Sequence, residues 1–427
     1  MSNARPSAAS SRLSAIFSAA VLAFAVVAPF STAQQPARRT ARPAAAAQAQ
    51  SFDQLSRSAA NALDADQLDA AIKLFRKALA IRPDWAEGWW SLGTALYDQE
   101  RYAEAETAFQ KVVTLEPKHG TAHAFLGLCQ FQIGEDKAAL HNIEASRELG
   151  TDVDPQLRDV IFYHEGILLL RANRFVAAEK PFVSLCLSGA HSREVIHGFG
   201  MAALRLREGE LPAGTDSPNV IDLVGRGACY AAQKDYDSAR RAFDFAATSY
   251  PQVAFVHYAF GRVLFDARDI PGAVEQFKQE IDLGHNKLLP MLQIAACEYK
   301  VDSADGLTFA EQAVALAPRV PFARLLRGLL LVDSGEDAKA IPDLELARKA
   351  FPRDAKVYWA LAAAYAHVGR TQDAAKTRGE VARIFRGKPS QQSDNPESPD
   401  ALNTPIEMND SADEPAAGAA PQADPKQ

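Results

Sequence analysis

Residues 90–117 read WSLGTALYDQERYAEAETAFQKVVTLEP, and the fold follows from them. Leu92 and Leu96, then Ala105, Ala108, Phe109 and Val112, fall three or four apart, the spacing of one helical face; nothing alternates as a strand would. A polar turn, Asp98-Gln-Glu-Arg-Tyr102, separates two helical halves, and Pro117 stops the second. One such hairpin cannot hide its apolar side alone, so it needs copies of itself to stack against.

Those copies are present. Pro83 and Pro117 stand 34 residues apart, as do Ala71, Ala105 and Ala139, and Ala59, Gly93 and Gly127. The same step separates Gly227 from Gly261, Ala239 from Ala273, Phe243 from Phe277, Pro318 from Pro352 and Ala340 from Ala374. The segments LVGRGACYAAQKDYDSARRAFDFAATSYP (223–251), LRGLLLVDSGEDAKAIPDLELARKAFP (326–352) and LDAAIKLFRKALAIRP (68–83) restate the design. Small residues such as Gly93, Gly127, Gly166, Gly227, Gly261 and Gly328 let paired helices approach. Phe109, Phe182, Phe243, Phe277 and Leu344 fill the space between pairs.

This pattern resembles the tetratricopeptide repeats. The resemblance implies an all-α fold, an α-solenoid with a right-handed superhelix of about eight to nine helix-turn-helix units over residues 51–386. Three stretches break the period: 149–158, 190–220 and 287–318. In the second, Arg193–Glu208 reads as a first helix whose partner is replaced by Glu210-Leu-Pro-Ala-Gly-Thr215. No polar linker divides the array, so one continuous solenoid is expected.

Composition agrees with a folded interior. The 427 residues are 48% hydrophobic and 23% charged, with 46 Lys+Arg against 53 Asp+Glu and a net charge of −7. That acidic balance argues against a nucleic-acid partner, which needs a clustered basic footprint. Residues 1–33 read as a signal peptide: polar and basic to Arg12, apolar from Leu13 to Phe30, then Ser31-Thr32-Ala33 before Gln34. The rival reading is an uncleaved membrane anchor, because Arg38, Arg39 and Arg42 follow closely. Residues 34–50 read as a flexible linker. Residues 387–427 hold seven prolines, eight acids and two lysines. Only Leu402, Ile406 and Met408 are bulky and apolar there, so this acidic tail is expected to be disordered.

Catalytic patterns fail one by one. His164-Glu165 begins like a zinc-protease helix, but Leu168 stands where the second ligand belongs. Gly198-Phe-Gly200-Met-Ala-Ala203 matches a dinucleotide loop in letters only, since no strand precedes it. The pairs His119/His123 and His191/His197 lack a third ligand at metal spacing. No cofactor, metal site or catalytic residue is expected, and the chain reads as no enzyme. Cys129, Cys186, Cys229 and Cys297 are expected as buried free thiols. Cys129 and Cys229, at one repeat phase, would lie about three units apart, beyond disulfide reach.

The resemblance does imply a binding surface, because partners of such repeats lie along the concave face made by first helices. Here that face would carry Trp90, Tyr97, Phe131, Tyr163, Phe255, Tyr258, Phe265, Phe322 and Trp359, beside Leu128, Ile167, Val224, Leu325 and Leu329. An aromatic, weakly charged groove suits an apolar peptide; the alternative is that several of these residues are inter-repeat core. The family's Lys/Asn/Arg carboxylate clamp is not matched, since the equivalent positions are Glu87, Trp90, Thr94, Thr121, Ala124 and Leu128. The expectation is an exported, non-catalytic scaffold, periplasmic or secreted, holding a protein or peptide partner. Alternatives are an N-terminally anchored assembly factor for envelope polysaccharide or outer-membrane machinery, or an undetected hydrolase.

Overall fold

A computed structural model of the chain describes residues 42–384 apart from 152 and 300. The signal segment, residues 34–41 of the linker and the acidic tail lie outside the described residues. Nineteen α-helices make up the described residues. They pair as antiparallel hairpins: α1 (Arg42–Asp64) with α2 (Leu68–Ile81), α3 (Ala86–Asp98) with α4 (Tyr102–Leu115), and α5 (Gly120–Ile133) with α6 (Asp136–Leu149). Next come α7 (Pro155–Arg171) with α8 (Phe175–Ser188), then a single helix α9 (Arg193–Ala203), then α10 (Asn219–Ala232) with α11 (Tyr236–Ser249). The rest are α12 (Val256–Asp266) with α13 (Ile270–Leu283), α14 (Leu288–Glu298) with α15 (Ser303–Leu316), α16 (Pro321–Asp333) with α17 (Asp337–Ala350), and α18 (Ala355–His367) with α19 (Thr371–Ile384).

The turn inside each hairpin has one recurring form. Glu100 sits at φ 58°; its N–H donates to the Tyr97 carbonyl (2.9 Å) while the Arg101 N–H reaches Leu96 (2.9 Å). This left-handed cap satisfies carbonyls that the helix end would leave open. One repeat further on, Gly134 takes the same place; Lys234, Arg268, Gly335 and Gly369 take it in later units. Several following helices are capped by a side chain: Asp235 accepts from the Ser238 N–H, Asp269 from Gly272 and Asp302 from Asp305, each supplying an N-terminal acceptor.

The predicted small-to-large packing is present in detail. A Cβ placed on Gly93 would lie 2.9 Å from the Phe109 ring, on Gly166 2.6 Å from Phe182, and on Gly261 2.6 Å from Phe277. Those rings then meet the next unit: Phe109 stacks on Phe125 at 5.3 Å and Phe243 on Phe260 at 5.5 Å. Burying each such ring stabilises the unit by about 2–3 kcal/mol.

Two expectations change. Helix α1 begins at Arg42, so residues 42–50, read as linker, are helical; the alanine-rich composition taken for a linker also has the highest helix propensity. The described helices also divide into two compact units, one ending at Asp154 and one starting at Pro155, where a single continuous array was expected. The division falls in the irregular 149–158 stretch. There Gly150 at φ 81° ends α6, and Pro155 opens α7 in place of the usual proline-and-short-turn junction.

The 190–220 stretch contains α9 as a first helix without a second of its own. In its place α9 packs against α10 through bare backbone: a Cβ on Gly200 would fall 2.0 Å from the Ile221 carbonyl oxygen, and one on Gly225 1.9 Å from that of Ile196. Helix α10 therefore serves two neighbours, α9 and α11. Gly200, part of the match to a dinucleotide loop in letters only, thus serves helix packing.

Candidate functional site

The first-helix face was the expected site, and its nine aromatics fall into three groups. In the N-terminal unit, Trp90 is half-buried: it stacks on His119 (5.2 Å between ring centres) and meets Phe109 and Phe125 edge-on at 5.4 and 5.3 Å. Tyr97 is only 8% exposed, edge-on to Tyr102 and Phe125, and burial pushes its phenol pKa upward. Tyr97 is therefore core, a correction to its place in the groove, while Trp90 packs against the next unit and keeps only part of its surface open. Phe131, at the end of α5, is half-buried.

The second group surrounds α12. Tyr258 is 2% exposed and packs on Phe255 and Phe277, so it too is core, a correction to its place in the groove. Phe255 holds a left-handed φ of 67° as the residue before α12. Buried Glu280 fixes it there, accepting the Phe255 N–H at 2.8 Å and the Tyr258 N–H at 3.1 Å. A carboxylate at a helix N-terminus is favoured by the dipole and satisfies two open donors; even so, burial raises the Glu280 pKa. The face beside it is charged. Arg262 makes a two-pronged pair with Glu179 of α8 at 2.5 and 2.8 Å. The Arg205 guanidinium lies 5.6 Å from the Phe175 ring and 6.0 Å from Phe255. Phe265, near the end of α12, is half-buried, as is Tyr163 on α7. Sequence reasoning missed the Arg262–Glu179 pair because its partners are 83 residues apart, and their approach depends on the unpaired α9.

The third group is the one that presents apolar surface. The first helices α14, α16 and α18 lie side by side. Phe322, Tyr299 and Val332 are half-buried against a core that contains Leu325 and Leu329, and Trp359 on α18 is 42% exposed. Arg324 and Arg327 beside them are both paired with Asp343, at 2.7 and 2.5 Å. Lys356, one turn before Trp359, has its pKa lowered by burial.

The histidines have structural roles. His119 caps α5, His123 bonds Asn142 at 2.9 Å, and His197 bonds Asp222 at 2.6 Å. His191 lies 2.7 Å from the Gln233 amide and 3.2 Å from the Cys186 carbonyl oxygen. Among the described residues no cluster of three potential ligands could hold a metal. Also among them, no helix is long and apolar enough to cross a membrane.

The cysteines require a correction. Cys129 and Cys297 are buried free thiols, and burial pushes Cys297 up to about 12. Cys186 and Cys229, however, form a disulfide with Cα atoms 5.5 Å apart. The repeat-phase argument compared Cys129 with Cys229, but the true partner lies on a second helix, α8. With no second helix after α9, α10 comes against α8, and the two sulfurs meet. The break at 190–220 was the available signal.

The family description "Tetratricopeptide repeat" matches residues 57–117, 91–145, 229–286 and 325–389. The mitochondrial import receptor subunit TOM70 of Rattus norvegicus is 36% identical over 92 residues, which is 22% of this chain and 15% of that protein. The chain therefore spans about 15% of the length of the curated relatives it matches. Among solved structures, MamA from Desulfovibrio magneticus RS-1 is similar at 21% identity and a TM-score of 0.38, over 42% of this chain and 100% of that one. Yeast Tom70 is similar at 13% identity and a TM-score of 0.32, over 79% of this chain and 85% of that one.

Proposed function

Because this chain belongs to the tetratricopeptide repeat family, whose arrays typically serve as non-catalytic scaffolds for protein interaction, we propose that it holds an apolar peptide segment on the face of α14, α16 and α18. The observation that carries this reading is Trp359, 42% exposed on the first helix α18, with half-buried Phe322 on the neighbouring first helix α16. A rigid aromatic gives large contact area for little lost entropy, which makes it a natural anchor. Arg324 and Arg327 are already paired with Asp343, so these two are not open to an acidic ligand and the indole is the available anchor. TOM70 is by name an import receptor subunit, a role consistent with holding other chains.

The compartment is part of the proposal. The signal-like pattern of residues 1–33 and the Cys186–Cys229 disulfide support work outside the cytoplasm, where disulfides persist. Trp359→Ala tests the site: affinity capture from an envelope extract, followed by peptide-array mapping, should lose its apolar segments while helicity and melting stay unchanged. Undiminished capture by the variant would remove Trp359 from the site.

A further inference from the structure

Helix α10 carries a polar stripe at positions that are apolar one repeat later. Asp222, Arg226 and Tyr230 stand four apart on α10 and so share one side of it. A 34-residue step further on, the same positions of α12 are Val256, Phe260 and Leu264, each at most 3% exposed. There the preceding second helix, α11, packs against α12, and its Phe243 stacks on Phe260 at 5.5 Å. No second helix stands between α9 and α10, and the stripe borders a cleft of about 470 Å³. His191, Arg193 and Ile196 line its other wall, at the start of α9, and buried Cys229 of the disulfide lines it too. A partner cannot supply the absent helix between α8 and α10. These two lie in direct contact, the Cα atoms of Cys186 and Cys229 being 5.5 Å apart, whereas each pair of packed helices needs about 8–10 Å between axes. The cleft has instead the volume of a small-molecule site, about 300–1,000 Å³.

We propose that this cleft binds a single carboxylate, gripped by the Arg226 guanidinium and the Tyr230 hydroxyl, with a short apolar tail against Ile196 and the tyrosine ring. Free donors are the first reason. Arg226 is exposed and makes no hydrogen bond or ion pair among the described residues, and the Tyr230 hydroxyl makes none either. The other polar groups are engaged. Asp222 is held by His197 at 2.6 Å and by Arg193 at 3.4 Å. Gln233 donates to the Cys186 carbonyl at 2.9 Å and lies 2.7 Å from His191 Nε2. Charge is the second reason. Counting histidines as neutral, two arginines against one aspartate give the cleft a formal +1, in a chain of net charge −7. A monoanion matches that, whereas a phosphate dianion would set an uncompensated charge beside Asp222. A planar guanidinium also meets a carboxylate with two parallel donors. Half-buried Ile196 and Tyr230 supply the apolar wall. Such a carboxylate belongs either to a free small organic acid or to the last residue of a peptide chain; the chemistry recognised is the same. The site lies apart from the face of α14, α16 and α18 and does not depend on that face binding anything.

The test is saturation-transfer NMR on the full-length chain with isocaproate, its uncharged amide, N-acetyl-glycyl-leucine and inorganic phosphate as probes. Both acids should saturate, and the amide and phosphate should bind roughly tenfold more weakly or less. Arg226→Gln should weaken binding of the acids roughly tenfold, and Tyr230→Phe, which removes only a hydroxyl, about threefold. Both side chains are without partners in the fold, so the melting temperature should stay unchanged. Lys234→Gln, at an exposed cation outside the cleft, should alter nothing. Tighter binding of the peptide acid assigns the site to chain ends, and equal binding assigns it to a free organic acid; either upholds the carboxylate. Equal binding of acid and amide, a preference for phosphate, or indifference to Arg226→Gln would each overturn the proposal. So would the absence of saturation by both acids, which would mark the stripe as plain solvated surface.

Discussion

Gly261 and Gly379 are both helical glycines, yet a single added methyl should move stability in opposite directions. At Gly261 the new Cβ would sit 2.6 Å from the fully buried Phe277 ring, so Gly261→Ala should cost about 1–3 kcal/mol through overpacking. At Gly379 nothing lies within 4 Å, and Gly379→Ala should gain about 0.5–1 kcal/mol by removing backbone freedom. Urea titration of the two variants measures both; a loss at Gly379 would contradict the open surface described there. Asp98 makes a pH prediction at the same scale. Burial, with Asp66 nearby, raises its carboxyl from 3.8 to about 6. Between those values the folded protein keeps a proton that the unfolded chain has released, so this contribution to stability falls as pH rises through the window and is level above it. Asp98→Asn should flatten that slope in melting temperatures recorded across it; an unchanged slope would assign the effect to another group.

At the scale of the hairpin, the left-handed turn residue separates the well-adapted units from the strained ones. Gly134, Gly335 and Gly369 take that conformation freely, whereas Glu100, Lys234 and Arg268 carry a side chain into it. Such a residue costs about 1–2 kcal/mol, so Lys234→Gly should stabilise the α10–α11 hairpin by about 1 kcal/mol, measurable as a raised urea midpoint. The disulfide acts over a longer span. Closing a loop of sequence separation 43 restrains the unfolded chain by about 4 kcal/mol in the chain-entropy account. Reduction, or Cys186→Ala with Cys229→Ala, should therefore lower the melting temperature of the unit that starts at Pro155. The unit ending at Asp154 holds only Cys129, a free buried thiol, and its transition should not move with reductant. A calorimetric trace in which both units shift together would contradict this division.

Across the whole chain, what could be read in advance was whatever repeats. The glycine-to-aromatic contacts, the proline stops and the helix pairs follow from a 34-residue step in the letters, because each depends on residues close in sequence. The non-repeating features were hidden for the converse reason. The Cys186–Cys229 bridge and the Arg262–Glu179 pair both depend on α9 bringing α8 toward later helices, and no local pattern encodes that approach. The expected groove could not be sorted from core by its letters, because whether Tyr97, Tyr258 or Trp359 meets solvent depends on what packs against each. Among the described residues, Trp359 is the one of these three with no hairpin after its own. N-terminal sequencing of the mature protein tests the signal-peptide proposal: Gln34 is the expected first residue, and a start at Met1 would favour the anchored alternative.

The solitary α9 also bears on how this array could have grown. Chains built from helix pairs can gain or lose whole pairs by duplication or deletion, each junction resembling the next. Here α10 answers to two neighbours, and glycines 200 and 225 admit no side chain at their crossing. Excising α10–α11 as one ordinary pair would strip α9 of its seat and leave Cys186 without a mate. Recombination can therefore lengthen or shorten this protein on either side of α8–α10, while that block has to be inherited entire.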